Sequence, residues 1–342
     1  HIVSISVFLF NLLSAQFALP TFQGVHKPAA TASSTSGNIP VVAGGYHFTV
    51  AILEDGSIKA WGRNNYGQLG QGNTNSLGDE SNEMGDNLAA VDLGSGRTAK
   101  SVAAGLYHTV ALLDNGSVKA WGDNSYGQLG QGNTQHIGDE SNEMGDNLVA
   151  VDLGSGRTAT AIAAGFYHTA ALLDNGTVKV WGYGRYGQLG QGNSNYIGDG
   201  SNEMGDNLAA VDLGSGRTAT AISAAGYQTA ALLDDGTVKV WGYGWYGQLG
   251  QGNTQNIGDG SNEMGDNLAA IDLGSGRTAK SLHAGIFHGI AVLDNGTVKA
   301  WGYNGYGLLG QGSTFNLGDG ANEMGDNLPS IDLSSSSDKV LD

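Results

Sequence analysis

The chain repeats itself. Trp61, Trp121, Trp181, Trp241 and Trp301 recur at intervals of 60 residues. Each opens the run Trp-Gly-x-x-x-Tyr-Gly-x-Leu-Gly-Gln-Gly, and each is followed by Asn-Glu-Met-Gly-Asp-Asn-Leu and a Val/Ile-Asp-Leu tripeptide. A period this long, seen five times, marks a supersecondary unit that buries its apolar face only against its neighbours. Inside a unit the apolar residues alternate over short runs, as strands do. In the second unit the runs are 88–93, 99–104, 107–113 and 117–121. Leu113 and Ser117 flank Asp114-Asn115-Gly116, a three-residue hairpin loop with glycine in its left-handed position. The 58 glycines, with only 4 prolines, serve such turns, because no collagen-like triplet period is present.

The hairpin register is testable within the sequence. If Leu113 faces Ser117, the opposed pairs are Val50/Ala60, Val110/Ala120, Ala170/Val180, Ala230/Val240 and Ile290/Ala300. A large residue always faces a small one, and the two sides exchange together, as cross-strand neighbours sharing one space must. Four short strands per unit without a useful helical period predict an all-β fold, a β-propeller of five four-stranded blades. The first unit, starting at Ile39, lacks the tripeptide strand that precedes later units, whereas Leu328 to Leu333 supplies an extra copy at the other end. We therefore expect the C-terminal strand to complete the first blade and close the ring, which removes exposed edges. An open or truncated arc of a larger propeller is the alternative. The propeller spans 39–334, and 335–342 is a tail.

The motif from His108 to Gly130, His-Thr-x-Ala-Leu-Leu-Asp-x-Gly-x-Val-Lys-x-Trp-Gly-x-x-x-Tyr-Gly-Gln-Leu-Gly, resembles the regulator of chromosome condensation repeat. The resemblance covers all five units and implies a β-propeller. Members of that family include an exchange factor for the small GTPase Ran, a plant ultraviolet photoreceptor and a bacterial β-lactamase inhibitor, so the fold leaves function open. Familiar members have more and shorter blades. The added length here lies between Gly72 and Leu88 and in its copies. No basic tail for chromatin is present, and no GTPase-contacting residue carries over by motif.

Residues 1–38 differ from the repeats. Ile2 to Phe17 is apolar and uncharged, like the core of a signal peptide, and short for a membrane span. No basic segment precedes it, and all five methionines lie inside the repeats, so the chain reads as a processed or truncated product. Ser14 to Pro20 resembles the cleavage motif of proteins sent to complex plastids, where Phe17 would open the transit peptide. Thr21 to Gly37 suits a transit peptide or a disordered linker. The expectation is entry into the secretory pathway, with secretion or plastid targeting to follow. A nucleocytoplasmic location is the alternative.

Composition then narrows the function. Lys and Arg number 15 against 32 Asp and Glu, a formal charge of −17. Without a basic cluster, nucleic acid is not an expected partner; a basic protein is. Cysteine is absent, which removes disulfides, thiolate metal sites and cysteine nucleophiles. The Gly-Gln-Leu-Gly runs lack the spacing, the following helix and the Lys-Ser/Thr of a phosphate loop. No nucleophile–base pair is apparent, so the chain is expected to be non-enzymatic.

Residues that break the repeat carry the partner information. Trp245 stands where Asn65, Ser125, Arg185 and Gly305 stand elsewhere. With Tyr243, Tyr183, Arg185, Tyr303 and Arg63 it forms the candidate partner-binding set, because exposed Trp, Tyr and Arg dominate interface energetics. The five constant tryptophans are instead expected between blades. His108, His168 and His288 share one repeat position that Phe48 and Gln228 fill elsewhere, which favours local hydrogen bonding to backbone over a ring of ligands.

The acidic loops offer the candidate calcium ligands Asp79, Glu83, Asp86; Asp139, Glu143, Asp146; Asp199, Glu203, Asp206; Asp259, Glu263, Asp266; and Asp319, Glu323, Asp326. Carboxylates with amide oxygens suit a hard cation, and the same residues also serve turns by accepting backbone N–H groups. No other cofactor is implied. Asn115, Asn175 and Asn295 begin glycosylation sequons within hairpin turns. The expected function is a monomeric protein-interaction scaffold. Nucleotide exchange on a Ran-like GTPase, or a calcium- or glycan-dependent binding module, are the alternatives.

Overall fold

The computed structural model describes residues 41–333. The leader-like segment, its Ser14–Pro20 motif and the tail 335–342 lie outside the described residues. The first unit folds as β1 (Val41–Gly44), β2 (Phe48–Ile52) and β3 (Ile58–Gly62). The second is β4 (Ala99–Ala104), β5 (His108–Leu113) and β6 (Val118–Gly122), and the third β7 (Ala159–Ala164), β8 (His168–Leu173) and β9 (Val178–Gly182). The fourth is β10 (Ala219–Ala225), β11 (Gln228–Leu233) and β12 (Val238–Gly242), and the fifth β13 (Ala279–Ala284), β14 (His288–Leu293) and β15 (Val298–Gly302). Each trio is one antiparallel sheet in sequence order, so the chain carries five propeller blades.

The hairpin register follows the side-chain volumes. Val50 lies opposite Ala60, Val110 opposite Ala120, Ala170 opposite Val180, Ala230 opposite Val240, and Ile290 opposite Ala300. Leu113 donates its N–H to the Ser117 carbonyl across the turn, and Gly116 has φ +82°, a conformation strained for any residue with a Cβ. Ala170 and Val180 are fully buried. Ala170→Val alone therefore overpacks the space and costs about 1–3 kcal/mol in urea unfolding. Adding Val180→Ala recreates the Val110/Ala120 arrangement and recovers most of the loss; no recovery would show that the two side chains do not share one space.

The fourth strand differs from expectation in extent and in ownership. The Val91 N–H bonds to the Ile58 carbonyl at 2.8 Å, and Val151, Val211, Ile271 and Ile331 bond likewise to Val118, Val178, Val238 and Val298. The tripeptide thus edges the blade that precedes it, through a single backbone bond. Its remaining groups turn to the next unit: the Asp92 carbonyl accepts from the Gly145 N–H, and the Leu93 carbonyl from Lys119 Nζ at 3.0 Å. A full ladder does not form because these groups staple neighbouring blades.

The expected closure is corrected by the same bonds. Ile331 belongs to the fifth blade and does not complete the first. Apolar clusters lie between blades, one at each successive junction: Ile58 with Trp121, Val118 with Trp181, Val178 with Trp241 and Val238 with Trp301. Five blades share four clusters, and among the described residues no such cluster joins the fifth blade to the first. The described blades form an open arc.

Candidate protein-interaction face

The strand order puts each Asp-x-Gly hairpin turn at one end of its blade. The loop before the middle strand and the loop after the third strand lie together at the opposite end. That second end is aromatic. The constant tyrosine of each Trp-Gly-x-x-x-Tyr run is set by its own loop: Tyr66 N–H donates to Gln68 Oε1 at 2.9 Å, and Leu69 N–H to Asn64 Oδ1 at 2.8 Å. The Tyr126, Tyr186 and Tyr246 loops repeat the glutamine contact.

These rings meet aromatics from their own and the following blade. Tyr126 lies 5.1 Å from Tyr167, 4.9 Å from Tyr183 and 5.4 Å from Tyr196. Tyr183 stacks on Tyr196 at 5.0 Å and reaches Tyr186 and Tyr227. Tyr186 meets Tyr227 and Tyr243, Tyr243 meets Tyr246, and Tyr246 meets Phe287 and Tyr303. The result is one unbroken belt from Tyr126 to Tyr306, with most pairs tilted or edge-to-face as ring quadrupoles prefer. Burial pushes the Tyr167 and Tyr183 phenols upward. A separate group gathers Tyr46, Tyr66, Tyr107 and His136.

The structure brings Tyr183, Tyr243 and Tyr303 together in the belt. Trp245 stands out from it with 64 % of its surface exposed. Arg185 is exposed beside an open depression lined by Ser194, Asn195 and Tyr196. Arg63 joins the separate group, with its guanidinium carbon 5.3 Å from the Tyr107 ring centre, within cation–π range. Sequence reasoning missed Tyr126 and Tyr186, which it absorbed into the constant motif, and also Tyr167 and Tyr227. The available signal was a second aromatic position, just before the middle strand of each later blade, held by Tyr107, Tyr167, Tyr227 and Phe287.

Other sequence candidates have structural partners. Trp121, Trp181, Trp241 and Trp301 are fully buried, and each indole N–H donates to a carbonyl of the preceding blade. The expected backbone partner of the histidines is replaced by a side chain: His108 Nε2 lies 3.1 Å from Thr169 Oγ1, and His168 Nε2 lies 3.0 Å from Thr229 Oγ1. Both threonines belong to the following blade. The Asn175 Oδ1 accepts from the Thr177 N–H and hydroxyl, so it shapes its turn.

In the acidic loops Glu83 Oε2 accepts the Gly78 and Glu80 N–H groups, and Glu143, Glu203, Glu263 and Glu323 repeat this. Asp146 accepts the Ser95 N–H at 2.7 Å and its hydroxyl at 2.5 Å, and Asp206, Asp266 and Asp326 do the same with Ser155, Ser215 and Ser275. Those serine hydroxyls hold the four aspartates below the usual carboxylate range. Burial, reinforced by the neighbouring Glu203 carboxylate, pushes Asp199 upward. Among the described residues no three of these carboxylates converge in a cluster able to hold a metal ion.

Comparison with known proteins agrees with the fold. The sequence family described as the RCC1-like domain matches residues 19–329. The ultraviolet-B receptor UVR8 of Arabidopsis thaliana is 29% identical over 81% of this chain and 56% of its own length. The human E3 ubiquitin-protein ligase HERC2 is also 29% identical over 81% of this chain, but over only 5% of its own length. The chain thus spans about half of one relative and a small part of the other. Among solved structures, human WBSCR16 superposes with a TM-score of 0.59 at 20% identity, covering 80% of this chain and 64% of that one. Prp20p of Saccharomyces cerevisiae, described together with its binding to Gsp1p and histones, gives 0.56 at 21% identity over 77% and 57%. Repeat, blades and sequence match agree that this chain belongs to the RCC1-like domain family.

Proposed function

We propose that the chain is a protein-interaction scaffold that receives its partner on the aromatic end of the blades. The observation that carries this reading is the continuous tyrosine belt flanked by Trp245 and Arg185, at a position where the repeat varies freely. Half-buried tyrosines held by one another present rigid area with little ordering cost on binding, and Trp, Tyr and Arg are the usual anchors of protein interfaces. The net charge of −17 favours a basic partner through steering. The association of the related Prp20p with Gsp1p and histones supports a protein ligand.

The test is capture of cellular proteins by the intact chain and by a Tyr183→Ala, Arg185→Ala, Trp245→Ala triple variant. Each anchor is worth about 2 kcal/mol or more, so the triple variant loses its partner. An Asn175→Asp control, which alters only the opposite end, keeps it. Equal capture by all three proteins would refute the assignment. Accelerated GDP release from a Ran-like GTPase would instead assign exchange activity and displace the scaffold reading.

A further inference from the structure

In the second and fifth blades the loop after the third strand is held by two ties. The buried Asn124 side chain donates to the Asn133 carbonyl at 2.8 Å and accepts the Leu129 N–H at 3.0 Å. The Asn124 backbone N–H donates to His136 Nδ1 at 3.1 Å. Asn304 repeats these contacts with Ser313, Leu309 and Asn316. The third blade breaks both ties. Gly184 stands in place of the asparagine, and a Cβ there would strike the Asn195 carbonyl oxygen. Tyr196 stands where His136, Asn256 and Asn316 accept the loop N–H, and its ring stacks on Tyr183 instead. The fourth blade shares the glycine, as Gly244, yet keeps its N–H bonded to Asn256 at 3.1 Å. Among the described residues the N–H of the buried Gly184 has no acceptor.

Arg185 follows directly. It is exposed, and among the described residues it has neither an ion pair nor a hydrogen bond. The other arginines are used. Arg97, Arg157, Arg217 and Arg277 each pair with an aspartate at the opposite end, and Arg63 lies over Tyr107. Arg185 shares its open depression with Ser194, Asn195 and Tyr196, and no acid lines it among the described residues. The Ser194 hydroxyl and the Asn195 amide add donors. In the fourth and fifth blades the loop N–H points at the residue equivalent to Tyr196, so the Gly184 N–H faces the same depression.

Resting on the reading that the aromatic end receives a protein, we propose that this depression takes one carboxylate side chain of the partner, held by Arg185 and the Gly184 N–H. A buried donor without an acceptor costs stability until a ligand satisfies it. A single guanidinium offers two parallel N–H groups, which match one carboxylate. A phosphate carries more charge and is ordinarily met by several arginines, which this depression lacks. The net charge of −17 holds free anions away, so the acid arrives on a segment whose other charges are positive. Trp245, at the matching position of the next blade, offers that segment an exposed apolar anchor.

NMR titration of the isotope-labelled full chain at constant ionic strength tests this. The probes are the peptide acetyl-Lys-Glu-Lys-amide, its counterpart with glutamine in place of glutamate, and sodium acetate. The glutamate peptide shifts the Gly184 amide and the Arg185 side-chain resonances to saturation and leaves the Gly244 amide in place. The glutamine peptide shifts neither. Acetate reproduces the response only at about tenfold higher concentration, because it has no lysines for the acidic surface to attract. Arg185→Gln, an exposed substitution, abolishes the response. Tyr196→Asn supplies the acceptor that Asn256 supplies in the next blade, and it removes the Gly184 shift while Arg185 remains. A glutamate peptide no better than its glutamine counterpart overturns the proposal, as does a response that survives in Arg185→Gln. Acetate as effective as the peptide overturns it too, in favour of a site for a free small carboxylate. The probes need no cellular partner, so a failed titration leaves the scaffold reading standing. A successful titration with equal capture by the triple variant keeps the carboxylate site and refutes only that reading.

Discussion

Trp181→Ala destabilises the chain by about 3–5 kcal/mol, the range for deleting a large buried aromatic. Trp181 is fully buried among Val118, Leu129, Val151 and Ile162, so it fills the junction between the second and third blades. Its indole N–H also satisfies the Gln128 carbonyl at 3.1 Å. Removing the ring opens a void and withdraws that donor together. In a repeat array each unit is held by its neighbours, so a weakened central junction uncouples the two halves. The expected readout is a lower and broader urea transition. Trp181→Phe keeps most of the apolar area and leaves the carbonyl to Thr169 alone, and falls between wild type and Ala. Trp61→Ala, at the exposed end of the arc, has a much smaller effect. Equal losses at Trp61 and Trp181 would show that the tryptophans do not act through blade junctions.

Acidification below pH 6.5 destabilises the protein before the serine-bonded Asp146, Asp206, Asp266 and Asp326 are protonated. Burial pushes His108 to about 3 and His168 to about 4, and Nδ1 of each ring has no acceptor to welcome a proton. The unfolded chain takes up protons at the ordinary histidine value, whereas the folded chain does not. Stability is therefore highest above that value and falls as pH drops, until each histidine's folded value is reached. Each contributes about 1.4 kcal/mol per pH unit across the window, or roughly 3 kcal/mol per unit for the pair. The Asp146, Asp206, Asp266 and Asp326 carboxylates, held low by serine hydroxyls, lose their contribution only at lower pH. Denaturant midpoints between pH 7 and about 4.5 separate the two effects. His108→Gln with His168→Gln flattens this part of the profile, since Gln228 already occupies the same repeat position, donating to the Gly285 and His288 carbonyls. A double variant as acid-sensitive as wild type would place the cause elsewhere.

How much was legible in the sequence depended on whether the relevant neighbours lie within one unit or across two. The hairpin pairs could be read because Val110 and Ala120 share space inside a single turn, and volume compensation leaves a trace in every copy. The Val-Asp-Leu tripeptide could not be assigned to a blade. A periodic sequence carries no phase, so a strand between two units fits either one until the Val91 bond to Ile58 fixes it. The mistaken closure by Ile331 follows from that single ambiguity. At the candidate face Trp245 was visible because it breaks the pattern. Tyr126 and Tyr186 were hidden because constancy reads as packing, and their proximity to rings of the next blade arises only when blades stack. In the acidic loops the sequence left two uses open, a hard cation or the turns themselves, and the structure shows the carboxylates accepting backbone N–H groups.

The central claim is that the constant parts of the repeat hold the blades while the aromatic end receives the partner. The most direct measurement is site-specific photo-crosslinking from the intact chain, with the reactive side chain at position 245 or, on the opposite end, at position 175. The account predicts crosslinks to a partner protein from position 245 and none from position 175. Crosslinks from position 175 alone, or from neither position, would contradict it.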